Sequence, residues 1–199
     1  IGLVGSEMCI RDSDKIKGKI TASRPTFPEW EEKDRMNDKK ERTMSLLPIV
    51  KVGAPILREK AEAVTRFDKK LEKTLKAMAE SMYANNGCGL AAPQIGLSKR
   101  MIVIDADDGA GIREFVNPVL SEFKGEEIDT EGCLSVDDYE GEVKRAAEVT
   151  VRFQDRKGGH WRLTASGLLA RALQHECDHL DGILFIDRAL SLSPKRKAE

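Results

Sequence analysis

His175-Glu176-Cys177-Asp178-His179 sets two imidazoles one helical turn apart, with a carboxylate beside the first. On an α-helix residues i and i+4 share a face, so both rings can converge on one divalent ion while Glu176 lies alongside as a base for an attacking water. The helical phase favours this over a solvated helix that merely carries two histidines. At about 100° per residue, Leu168, Ala172, His175 and His179 form one stripe, and Leu169, Leu173, Glu176 and Leu180 form the next. Arg171, Gln174 and Asp178 fall on a more polar flank. Burying His, Glu and His among leucines is costly unless something satisfies them, and a metal ion does so.

The chain has three histidines, His160, His175 and His179, so a third ligand must come from Cys, Asp or Glu. A metzincin-like protease would extend the motif to a further histidine, but Phe185 stands there. A thermolysin-like protease would take a downstream glutamate; Glu199 has a compatible spacing but is the last residue, a poor scaffold for a ligand. The upstream segment Glu131-Gly132-Cys133-Leu134-Ser135 is the better source, since a thiolate binds Zn²⁺ or Fe²⁺ strongly and the preceding glycine permits close backbone approach. A third segment, Gly87-Cys88-Gly89-Leu90-Ala91-Ala92-Pro93-Gln94-Ile95-Gly96, is a small-residue loop whose Gln94 amide can donate to a developing oxyanion. Read alone, that loop is equally a tight helix-to-strand connection, and Cys133 a small buried apolar residue.

Taken together and in this order, the three segments resemble the peptide deformylases, whose motifs read G-x-G-x-A-A-x-Q, E-G-C-x-S and H-E-x-x-H. The resemblance runs from about Met44 to about Asp187 and includes Leu47-Pro48-Ile49-Val50 and Pro55-Ile56-Leu57-Arg58. It implies Cys133, His175 and His179 as metal ligands, Glu176 as general acid/base, and Gln94 with the Leu134 backbone N–H as oxyanion donors. It further implies that Gly87, Gly89 and Leu90 line the substrate cleft, that Leu168 and Ala172 flank a methionine pocket, and that Glu131 pairs with Arg145. The implied substrate is an N-formylmethionyl peptide and the implied products are formate and a free N-terminal methionine. The implied cofactor is one divalent ion, Fe²⁺ in the cell, replaceable by Zn²⁺, Ni²⁺ or Co²⁺. Asp137 stands where many members carry proline, an exchange expected to loosen that loop. Only a short tail follows Asp187, so ribosome attachment through a long C-terminal helix is left in doubt.

Two other function classes share part of the pattern. A metallopeptidase would use the helix without needing Cys133 or Gln94. A non-catalytic metal protein would need the ligands but not Glu176, and would close the fourth coordination position with another residue.

These residues need elements to hold them. Leu71, Leu75, Met78 and Met82 recur at helical spacing to about Asn85, with Gly87 as the expected stop. Residues 101–104 and 115–116 read as strands. Val149, Val151 and Phe153 alternate with Thr150, Arg152 and Gln154, and Lys157-Gly158-Gly159 then turns the chain toward Trp161 and Leu163, a hairpin. The expected fold is α+β, with small antiparallel or mixed sheets packed around the helix of His175.

Composition fits one enzyme domain of 199 residues with formal charge -1 and pI near 6.4, which carries no signal for nucleic-acid binding. No apolar run is long enough to span a bilayer. Cys88 and Cys177 are expected as buried thiols in a reducing bacterial cytoplasm, and His160 as a surface residue. Residues 1–43 are read as a disordered or artefactual extension, with 44–199 as the catalytic domain. Residues 4–13 resemble translated sequencing-adaptor DNA, residues 14–43 are highly charged without apolar periodicity, and Met44 is the expected natural start.

Overall fold

The computed structural model describes residues 46–195, so the expectations for residues 1–43 and for Glu199 lie outside the described residues. Among the described residues two helices, α1 (Lys69–Ala84) and α2 (Gly167–Leu180), accompany eight strands. They are β1 (Gly89–Ala91), β2 (Met101–Ile104), β3 (Arg113–Lys124), β4 (Glu127–Cys133), β5 (Val136–Arg145), β6 (Glu148–Gln154), β7 (His160–Ser166) and β8 (Ala189–Pro194). One antiparallel sheet has the order β1-β2-β3-β6-β7, and a second has the order β4-β5-β8. The α+β expectation therefore holds.

The larger sheet is covered on both faces, which explains the unbroken apolar run of β2. Alternate strand residues point to opposite faces. Ile102 and Ile104 join Phe115, Val149, Val151, Leu173 and Leu180 in the core beneath α2, while Met101 and Val103 join Leu75, Met78, Met82 and Val116 beneath α1. A third cluster, including Leu57, Val136, Val143, Leu184 and Phe185, lies against the three-stranded sheet.

The α1 stripe is core, as its spacing predicts. Asp68 caps the helix, its carboxylate accepting from Lys70 N at 3.0 Å and Leu71 N at 3.1 Å. Leu75 is fully buried. Leu75→Ala is expected to cost about 2–5 kcal/mol, the range for emptying a well-packed leucine site, measurable by urea unfolding. The helix stops for a different reason from the expected one. Asn86 takes the left-handed conformation at φ 56°, whereas Gly87 is required by crowding, because a Cβ there would lie 2.8 Å from Leu134 Cδ1. The β6–β7 hairpin has the expected alternation, with Val151 opposite Leu163 and Phe153 opposite Trp161.

Candidate metal centre and oxyanion site

Strand β4 and helix α2 meet at a matching repeat. Glu131 and Cys133 are two apart at the end of β4 and, although the register with β5 shifts between them, both side chains meet α2, while His175 and His179 are four apart on that helix and share a face. Two strand residues rise roughly 6.6 Å and four helical residues roughly 6 Å, so the pairs align rung for rung. Glu131 Oε2 lies 2.8 Å from His175 Nδ1, and Cys133 Sγ lies 3.2 Å from His179 Nε2.

One ligand atom each from Cys133, His175 and His179 falls within 4.8 Å of the others, and all three residues are buried. The donor set suits a divalent cation electrostatically as well as geometrically. Burial pushes the Cys133 thiol up, but the neighbouring His179 and His175 outweigh it and bring the thiol down to about 5. Burial likewise opposes charge on His175, yet its contacts with Cys133 and Glu131 hold the ring well above the usual imidazole range. A cluster that retains positive charge between a thiolate and a carboxylate is one in which a metal ion can replace the proton. With a metal on the far nitrogen of His175, its Nδ1–H donates to Glu131, which fixes tautomer and ring orientation.

Glu131 is itself held by two guanidinium groups. Arg145 donates Nε and Nη2 to it at 2.9 and 3.0 Å, as the resemblance implies, and Arg171 Nη1 donates at 3.2 Å. Burial works against the Glu131 carboxylate, but its bonds to His175 and Arg145 keep it well below the usual range. Arg145 also pairs with Asp178, which Arg188 grips through Nε at 2.6 Å and Nη2 at 2.8 Å. The supposed polar flank of α2 is therefore not solvated, since Arg171, Gln174 and Asp178 are all buried. Sequence reasoning gave Arg171 no role; the one available signal was its place four residues before His175, close to the same side of the helix.

Glu176 lies beside the candidate ligands, almost wholly buried, and its Oε2 has no hydrogen-bond partner among the described residues. Desolvation pushes its carboxyl up to about 7. On the other side its Oε1 touches the space above Gly89, where a Cβ would overlap it. Gly89→Ala is expected to displace this carboxylate and reduce turnover about tenfold or more while leaving the thermal midpoint within a few degrees, since a small misplacement at a reacting group is costly. Steady-state rates beside a melting curve check this.

Gln94 follows β1 in a 3-10 turn (Ala92–Ile95) and is buried. Its Oε1 accepts from Ala91 N at 2.8 Å, which fixes the amide so that Nε2 faces Ser135 Oγ at 3.2 Å and Cys133 Sγ at 3.4 Å. Leu134 and Ser135 form the two-residue turn between β4 and β5, so the Leu134 N–H leaves the ladder next to Cys133. The candidate residues on three separated segments thus converge. Ser135, which sequence reasoning quoted without a role, is fully buried against Gln94. Leu90 has its side chain in the core, so any share in a cleft falls to its backbone in β1, the end strand of its sheet. Leu168 is half-buried at the first turn of α2 and packs on the cluster that holds Ala172. Cys88 and Cys177 are buried and His160 is exposed, all as expected.

The Polypeptide deformylase family model matches residues 46–195. The chain is 50% identical over 149 residues to the peptide deformylase of Halothermothrix orenii, covering 75% of this chain and 97% of that protein. It is 51% identical over 146 residues to that of Carboxydothermus hydrogenoformans, covering 73% and 95%. Among solved structures, the peptide deformylase of Thermotoga maritima matches with TM-score 0.71 and 40% identity, over 73% of this chain and 99% of that one. The Synechococcus elongatus enzyme in complex with actinonin matches with TM-score 0.69 and 42% identity, over 72% and 80%. The region that carries the Cys133–His175–His179 cluster matches 80–99% of the length of each of these relatives and lies within the span matched by the family model, and on that ground the chain belongs to the polypeptide deformylase family.

Proposed function

We propose that this chain removes the N-formyl group from the initiator methionine of nascent polypeptides, with Cys133, His175 and His179 holding one divalent ion. The observation that carries the reading is the convergence of those three donor atoms within 4.8 Å, next to the buried carboxyl of Glu176. The bound ion would supply Lewis-acid polarisation of the formyl carbonyl and activation of water near neutral pH. Glu176 accepts the proton of the attacking water and returns it to the leaving amine. Its burial, which raises the carboxyl above the usual carboxylate range, favours both transfers. Gln94 Nε2 and the Leu134 N–H receive the developing oxyanion. Gly87, Gly89 and the Leu90 backbone line the cleft along β1, and Leu168 and Ala172 flank the methionine side chain.

The test is formate release from a formyl-methionyl peptide, compared with cleavage of the same peptide unformylated. Formate release alone supports deformylation, whereas cleavage of an internal bond would favour a peptidase. The physiological metal is proposed as Fe²⁺ on the family resemblance, while the thiolate and imidazole donors would equally accept Zn²⁺, Ni²⁺ or Co²⁺. Metal analysis after anaerobic purification decides this. Among the described residues no helix is long and apolar enough to cross a membrane. The bacterial cytoplasm is the proposed setting, with the nascent chain rather than nucleic acid as partner and ribosome contact outside the proposal.

The catalytic domain is proposed to begin near Met44, supported by the family match starting at residue 46. Deletion of residues 1–43 is expected to leave metal content, melting temperature and deformylation rate nearly unchanged. A marked loss of any of the three would show that the segment belongs to the domain.

A further inference from the structure

The two proposed oxyanion donors come from different segments, and one short stretch of chain ties those segments together. Val50 N donates to Gln94 O at 2.7 Å, and two residues later Val52 N donates to Ser135 O at 2.8 Å. Between them, Lys51 Nζ donates to Leu134 O at 2.9 Å and lies 2.6 Å from Asp137 Oδ2. The stretch is fixed in turn by the Lys51–Ala54 turn, in which Ala54 N donates to Lys51 O at 3.2 Å. Residues 50–52 therefore bond the Gln94 turn on one side and the Leu134–Ser135 turn on the other. The Leu134–Ser135 turn contains no proline to stiffen it, and Asp137 stands just beyond it on β5.

We propose that Lys51, anchored by Asp137, is a positioning residue that sets the Leu134 peptide relative to Gln94 for oxyanion binding. This rests on the oxyanion assignment made under the proposed function. The carbonyl of Leu134 belongs to the peptide next to the one that carries the Leu134 N–H, so an ammonium bonded to that carbonyl restrains rotation of both. The loosening expected from aspartate in place of proline is thereby offset by a side chain 86 residues away. An exposed ion pair adds little to global stability, so the effect of removing it falls on geometry rather than on folding.

Kinetics on formyl-methionyl peptide with the metal-loaded full chain test this. Lys51→Met is expected to lower kcat about tenfold with KM within about twofold, the scale of a misplaced transition-state contact. Metal content and melting temperature should match those of the unmodified chain. Asp137→Asn should lower kcat about threefold, and the double variant should be no slower than Lys51→Met alone. Lys51→Arg, which can still bond both partners, should restore most of the rate. Gln94→Ala is measured alongside. If it is slow while Lys51→Met keeps full kcat, the brace is overturned and the oxyanion assignment stands. If both keep full kcat, the assignment and the brace fall together. If Lys51→Met instead loses metal or melts many degrees lower, Lys51 is a structural residue and the proposal is overturned.

Discussion

Glu176→Gln is expected to retain its metal and to lose deformylation by roughly two or more orders of magnitude, the scale of general acid/base catalysis. Glutamine preserves the volume of a side chain that is almost fully buried between Gly89 and the ligand cluster, so packing should hardly change. What it removes is the capacity to accept a proton and give it back. The carboxyl is suited to that exchange because desolvation raises it above the usual carboxylate range. Because the proposed role of Glu176 is in proton transfer and not in ligation, metal analysis of the variant should return about one ion per chain. Near-normal turnover at full metal occupancy would sink the mechanism, and loss of the ion would make Glu176 a ligand.

Cys133→Ala is expected to abolish stable metal binding and with it the activity. It deletes one of three donors and leaves two imidazoles on one helix. Weakening a single hydrogen bond behind a ligand costs 10–100-fold in metal affinity, so losing a ligand should exceed about 100-fold. The substitution also leaves Gln94 Nε2 and Ser135 N without the sulfur that accepts from each at 3.4 Å. Elemental analysis after dialysis, with circular dichroism to confirm folding, is the measurement. Should the variant keep full metal occupancy while removal of Glu199 empties the site, the thermolysin-like ligand set would replace this one.

The chemistry-bearing residues were legible because each sits in a local pattern whose period is fixed by backbone geometry. His175 and His179 share a helical face at i and i+4, and the leucines around them declared that face buried before any fold was known. The α1 stripe and the β6–β7 hairpin were legible for the same reason. The segments that pass between them were not. The β4–β5 turn at Leu134–Ser135 lacks the glycine or asparagine that signals a two-residue hairpin. β8 carries exposed leucines in an edge position that only its pairing with β5 defines.

The candidates for ligand, base and amide donor were thus picked out by the sequence, through local periodicity and the motifs of a family. Their mutual placement was decided by tertiary structure. Nothing local to Glu131 shows that it will be gripped by Arg145 and Arg171 and turned toward His175. Nothing local to Lys51 shows that it will reach Leu134, 83 residues away. Arg171, Gln174 and Asp178 read as no more than a polar flank in the sequence, because polarity alone sorts residues by their cost of leaving water. A folded interior removes that cost by supplying partners from distant strands, and those partners exist only once the two sheets have closed around α2.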